Sequence, residues 1–247
     1  MTQKKRVLKA LATDTIVESI FEIRFQGTQS NIGDILSGLI YQKHKLDYPN
    51  IEKLPISHLP VQLIDMDPSL RYQATNKFTG NKTVLLIGGN VLTVSKHSPY
   101  EGWTNFKKRI NKCLATLDET KLVKKVERIA LRYTNFVPAD NKIIGKDKIL
   151  FSGTLGKFDL TKSICHVRTE VIFNDCLNIV QVTSNAELTA DKRAGIILDI
   201  DTQLTKDLSN FWSDKSKLLE KIHSVEKEIF LSILTNETLQ KLGPTWS

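Results

Sequence analysis

Charged side chains two and four positions apart inside otherwise apolar strands are the chemistry-bearing feature of this 247-residue chain. In VERIALRYTNFVP, Val126 to Pro138, Arg128 and Arg132 share a face with Val126, Ala130, Thr134 and Phe136, and Ile129, Leu131 and Tyr133 take the other. The same spacing groups Glu18 with Glu22, ahead of Arg24, in IVESIFEIRF. It groups His166, Arg168 and Glu170 in SICHVRTEVIF, and Asp199 with Asp201 in GIILDIDT. Side chains alternate across a strand, so residues i, i+2 and i+4 point the same way. Arginine is rarely buried unpaired, so these faces need partners. If the strands are neighbours, Arg128 and Arg132 meet Glu18 and Glu22, and Arg168 meets Asp199 or Asp201, as cross-strand pairs of ~0.2–1 kcal/mol each. Glu18, Glu22 and Arg24 are then structural. The alternative is a concave polar face that gathers Arg128, Arg132, His166, Arg168, Glu170, Asp199 and Asp201 to bind an anion, a metal ion or a partner. Two aspartates at i, i+2 can share a hard cation, although a metal-dependent hydrolase would need a further carboxylate and a nearby base or lysine.

Other chemistries lack their residues. SGTLGKFD has no glycine five positions before Gly156 and carries Phe158 where a phosphate loop needs a hydroxyl; LIGGN reads as a hairpin turn. The five histidines show no metal-ligand spacing, and there is no GxSxG elbow. Cys165 shares an apolar strand face with Val167, Thr169, Val171 and Phe173, the setting of an inert thiol. His223 lies beside an apolar helical stripe and reads as a hydrogen-bonded residue at the edge of a core. The residues therefore predict no cofactor, no metal site and no catalytic group. The net charge of +8 comes from dispersed lysines and arginines, such as Lys107, Lys108, Arg109 and Lys112. That pattern keeps a polyanion as the alternative partner without building a basic arm. Three cysteines without CxxC spacing, no secretion signal, and no apolar run of the ~18–20 residues that span a bilayer predict a cytoplasmic protein off the membrane.

The elements that must position these groups follow from periodicity. The first ten residues read as a frayed arm. A period-two strand follows in IVESIFEIRF. A helix over SNIGDILSGLIYQKHK is capped by Ser30 or Asn31. Pro49, Pro55 and Pro60 mark an extended connector. Three meandering strands, LRYQATNKF, KTVLLIG and NVLTVSKH, turn at Thr79–Asn81 and Gly88–Asn90. A helix from about Gly102 presents Trp103, Phe106, Ile110, Leu114 and Leu117 on one face. After the arginine strand comes an irregular stretch, Ala139 to Leu160. Strands SICHVRTEVIF and LNIVQVTS are joined at Asn174-Asp175, and AGIILDIDT follows. A helix over Lys215–Leu234 carries the stripe Leu219, Ile222, Glu226, Ile229, Phe230 and Ile233, before a short capped segment NETLQKLG. The prediction is an α+β fold, mainly antiparallel, with long helices on one face of the sheet. Its two degenerate halves, 1–122 and 123–247, each run strand–helix–three strands–helix and pack as one unit. A TATA-binding-protein-like or helix-grip topology has this element order.

TIVESIFEIRF, YEGWTNFKKRI, RIALRYTNFV, GIILDID and LLEKIHSVEKEIF, in that order, resemble a sporadically distributed bacterial family of proteins of about this length and unknown function. The resemblance runs from Thr15 to Gly243. It rests on Glu18, Glu22, Arg24, Tyr100, Gly102, Trp103, Arg128, Arg132, Tyr133, Asn135, Asp199, Asp201, His223 and Phe230. It implies no activity. Its patchy distribution implies mobile genes, and with them a role in defence or toxin control. The expectation is a non-enzymatic binding or assembly protein with a protein partner, with self-association left open. A nucleic-acid binder using the strand arginines and basic helices is one alternative, and a metal-dependent hydrolase centred on Asp199 and Asp201 another.

Overall fold

A computed structural model describes residues 8–29, 32–139, 148–188 and 192–246. The expected caps Ser30 and Asn31, the first seven residues and part of the irregular stretch, 140–147, lie outside them. The first half runs β1 (Leu8–Leu11), β2 (Ile16–Gly27), α1 (Ile32–His44), β3 (Asn50–Lys53) and α2 (Val61–Met66). It continues through β4 (Asn76–Gly80), β5 (Thr83–Ile87), β6 (Val91–His97) and α3 (Trp103–Glu119). The second half opens with β7 (Val123–Pro138), β8 (Thr154–Leu155) and β9 (Phe158–Asp159). It then runs β10 (His166–Phe173), β11 (Cys176–Glu187), β12 (Ala194–Leu204), α4 (Phe211–Ile233), α5 (Asn236–Lys241) and β13 (Pro244–Trp246).

Nine strands form one open antiparallel sheet in the order β10-β11-β12-β7-β2-β6-β5-β4-β3. Alternation decides its two faces. In β2, Ser19, Phe21, Ile23 and Phe25 are buried while Glu18, Glu22 and Arg24 are only partly covered. Phe21, Ile23 and Phe25 join Leu36 and Ile40 of α1, Phe106 and Ile110 of α3, and Leu219 and Ile222 of α4 in one apolar core. Ile196, Leu198 and Ile200 of β12 pack with Phe230 of α4 in a second. Each fully buried side chain of this size contributes about 1.5–3 kcal/mol, so the sheet cannot slip by one residue without turning its core to water. The hairpin between β10 and β11 turns on Asn174 and Asp175, both at positive φ (49° and 61°), as such tight turns require.

Four expectations change. The strand expected from Leu70 begins at Asn76, because Asp67 accepts from the Ser69 amide (2.8 Å) and hydroxyl (2.7 Å) and winds the preceding residues into a turn. The proline connector contains β3 and the 3₁₀ turn Pro55–His58, and α2 follows directly after Pro60. The end of the expected frayed arm, residues 8–10, belongs to β1, which pairs with β13. Finally, Val126 does not share the arginine face. The β2–β7 register shifts between Arg24↔Arg128 and Phe25↔Val126, so Glu127 is an extra residue and Val126 turns into the core.

Candidate functional site

β7 lies in the interior of the sheet, flanked by β2 and β12. Its face away from the helices holds Arg128 and Arg132. Arg128 donates through Nη2 to Glu22 on β2 and through Nη1 to Gln203 Oε1 on β12 at 2.9 Å. Glu22 also accepts from Arg24 Nε at 2.7 Å, and Gln203 Nε2 donates to Asp201 Oδ2 at 2.6 Å. Arg132 grips Asp199 with two bonds, Nε to Oδ1 at 2.7 Å and Nη2 to Oδ2. That contact raises the guanidinium's pKa further, and burial pushes the Asp201 carboxyl above the usual range. Of these polar atoms Arg128 Nε is buried with no partner.

The expected pairing therefore holds for Arg128 with Glu22 and changes for the rest. Arg132 takes Asp199, diagonal to its register partner Asp201. Glu18 instead accepts from Ser95 Oγ at 2.8 Å, with His97 Nδ1 3.6 Å away. Arg168 cannot reach Asp199 in the manner expected because β11 stands between their strands, with Gln181 paired to both. It pairs with Glu170 on its own strand at 2.7 Å, and His166 Nδ1 lies 2.7 Å from Thr183 Oγ1. The seven candidates thus form an inner network on β7 and β12 and a separate, exposed group on β10. Among the described residues no group of three or more His, Cys, Asp or Glu side chains is placed to hold a metal ion, and no helix is long and apolar enough to cross a membrane.

The opposite side of β7 is different. Tyr133 and Asn135 point toward α4, and above them lies a cavity of about 330 Å³. Its walls are the segment Ala10–Ile16, the turn Tyr100–Trp103, the end of β7, and His223, Glu226, Lys227 and Phe230 of α4. Asp14 pins two of these walls together, accepting from the Ile16 amide and the Tyr100 amide, each at 3.0 Å. Gly102, at φ 79°, makes the corner from which α3 starts, a backbone shape that a side chain would strain. Trp103 lies flat on His223, with ring centroids 4.1 Å apart and planes 2° from parallel, and its indole N–H donates to Glu220 at 3.0 Å. Burial, helped by the Lys227 charge, lowers the His223 pKa to about 4, so the ring is neutral at pH 7. The hydroxyls of Tyr100 and Tyr133 share a 2.9 Å hydrogen bond, and burial raises both pKa values above the ordinary phenol range.

Two groups in this wall are incompletely satisfied. Glu226 is 4% exposed, its Oε1 has no hydrogen-bond partner, and burial holds its carboxyl well above the usual carboxylate range. Asn135 is 2% exposed; its Oδ1 accepts from Thr15 Oγ1 at 2.8 Å, leaving Nδ2 without a partner. Flipping the amide would only exchange which atom is left over. A buried polar atom without a partner costs about 1–3 kcal/mol. Such a wall can stack a flat ligand, exchange hydrogen bonds with it, or face a cation with a carboxylate.

Glu226 lies in the apolar stripe of α4 and is not among the candidates that the sequence offers. A carboxyl at a stripe position was the available signal, because ionisable groups rarely take core positions. Tyr100, Gly102, Trp103, Tyr133, Asn135, His223 and Phe230 all line this one cavity. The cysteines stand apart from it; Cys113 is buried and its thiol is pushed up to about 12. No protein-family model matches the chain, and a search of curated proteins finds no significant match.

Proposed function

We propose that this chain is a non-enzymatic binding protein and that the cavity between β7 and α4 is where it binds. The observation that carries this reading is the pair of buried, partly unsatisfied polar side chains, Glu226 and Asn135, in the wall of a 330 Å³ aromatic-lined cavity. Native interiors leave few such atoms unpaired, and small-ligand pockets of roughly 300–1,000 Å³ combine apolar walls with a few polar groups in this way. Binding rather than turnover is favoured because the wall offers hydrogen bonding and stacking, while its histidine lies flat against Trp103. The resemblance supplies the cellular context, defence or toxin control, in which ligand occupancy would be relayed to a protein partner. The two-halves description belongs to the same proposal: from the central β2–β7 pair the strands run outward as β6-β5-β4 and β12-β11-β10, the order a duplicated, TATA-binding-protein-like unit would produce.

Saturation-transfer NMR with a mixed fragment library tests the binding reading. Wild type is expected to transfer saturation to some fragments, and Ala10→Trp, placed at an exposed position on the rim, is expected to abolish that transfer. A library in which no fragment responds to Ala10→Trp removes the cavity as the site.

A further inference from the structure

The composition of the cavity wall selects among ligand classes, provided that the cavity is the binding site as proposed above. Its acidic groups are Glu226 on α4 and Asp14 on the N-terminal segment; its basic ones are His223 and Lys227, both on α4. His223 stacks on Trp103 and is uncharged at pH 7. Lys227 is partly buried, which lowers its pKa, while the neighbouring Glu226 acts the other way. An anion entering here would meet the Asp14 carboxylate, and a wholly apolar ligand would leave Glu226 Oε1 and Asn135 Nδ2 as they are. A cation meets the opposite situation. Aromatic side chains stand on three walls: Tyr100 and Trp103, Tyr133, and Phe230. Aromatic faces attract cations, by about 0.5–2 kcal/mol or more where water is excluded.

We propose that the cavity binds a small organic amine as its ammonium ion, with Glu226 as the counter-ion and the Asn135 amide donating to an oxygen elsewhere on the ligand. In the free chain burial favours the protonated form of the Glu226 carboxyl, and the neighbouring Lys227 charge opposes that only in part. When an ammonium ion arrives, its positive charge replaces that proton. The carboxyl releases H⁺ to the solvent and the resulting carboxylate faces the ammonium, so charge balances within the cavity. Tyr100, Tyr133, His223, Lys227 and Asp14 surround this exchange from the turn, the strand, the helix and the N-terminal segment. Tyr100 and Tyr133 stay protonated, being buried and bonded to each other. Binding is therefore coupled to release of up to one proton and strengthens as pH rises toward neutrality.

Calorimetry of the full chain with benzylammonium and with benzyl alcohol, in two buffers of unlike ionisation enthalpy, decides the matter. Benzylammonium is expected to bind at least about tenfold tighter than the neutral alcohol, with buffer-dependent heat that reports proton release. In Glu226→Gln the amine is expected to lose about tenfold in affinity while the alcohol stays within about twofold. Equal or tighter binding of the alcohol, or heat independent of buffer in wild type, overturns the ammonium assignment and leaves the cavity standing as a site. No heat from either probe also overturns it, and the fragment experiment then judges the cavity separately. The buffer comparison needs no variant, so a misfolded Glu226→Gln cannot blur the result.

Discussion

The two faces of β7 differ in what surrounds their polar groups. On the open face Arg128 and Arg132 are locked to Glu22, Gln203 and Asp199 across three neighbouring strands. On the helix face, two residues along, Tyr133 and Asn135 sit under a carboxyl that has an oxygen with no partner. The charged face looks like a site in the sequence, and its arginines are paired across strands. The quieter face hides its polar atoms among apolar neighbours and keeps some of them unused. Each face keeps a buried polar atom without a partner, Arg128 Nε on one and Glu226 Oε1 and Asn135 Nδ2 on the other, but only the second set lines a cavity large enough for a ligand.

This contrast can be broken from either side. Arg128→Ala leaves Glu22 with Arg24 alone and takes the donor from Gln203 Oε1, both on mostly covered side chains, and is expected to cost about 3 kcal/mol in chemical denaturation. A loss below about 1 kcal/mol would mean the open face is not framework. Acidification acts on the other side. The folded pKa of His223, about 4, lies below the ordinary value of 6.5, so its contribution is complete above pH 6.5 and is lost as pH falls toward 4. The expected loss over that window is about 2 kcal/mol after screening at the cavity mouth. His223→Phe, which keeps a ring against Trp103, should flatten that part of the pH–stability curve, and an unchanged slope would contradict the assignment. Glu226→Leu is expected to have the opposite sign from Arg128→Ala, stabilising the ligand-free chain by about 1 kcal/mol. Because the folded Glu226 pKa is raised, wild type loses stability as pH climbs from the ordinary carboxylate range through that raised value, and the leucine variant should not. The smallest effect belongs to Arg168→Ala, whose pair with Glu170 is about half exposed on both sides (48% and 49%); less than about 0.5 kcal/mol is expected by thermal melting.

Much of this arrangement was legible from spacing alone. Period-two runs located β2, β7, β11 and β12, and the stripe from Trp103 to Leu117 located α3, because alternate or helical burial leaves a direct trace in residue order. Arg128 with Glu22 was legible once the two strands were taken as neighbours. Arg132 with Asp199 and Arg168 with Glu170 were not, since a one-dimensional pattern does not say that β11 separates β10 from β12 or that a long guanidinium reaches diagonally. The bulge at Glu127, which turns Val126 inward, is set by the local register with β2. The cavity left the weakest trace. Its lining comes from the N-terminal segment, a turn, one strand and one helix, and only Glu226, an acid among Leu219, Ile222 and Phe230, stood out of place.

The most direct test is a carbon-13 NMR titration of the Glu226 side-chain carboxyl in the free chain, repeated with a fragment that occupies the cavity. The account predicts a midpoint well above the ordinary carboxylate range and a resonance that moves when the fragment binds. A carboxyl that titrates at about 4.3, as in an open peptide, and ignores every bound fragment would contradict it.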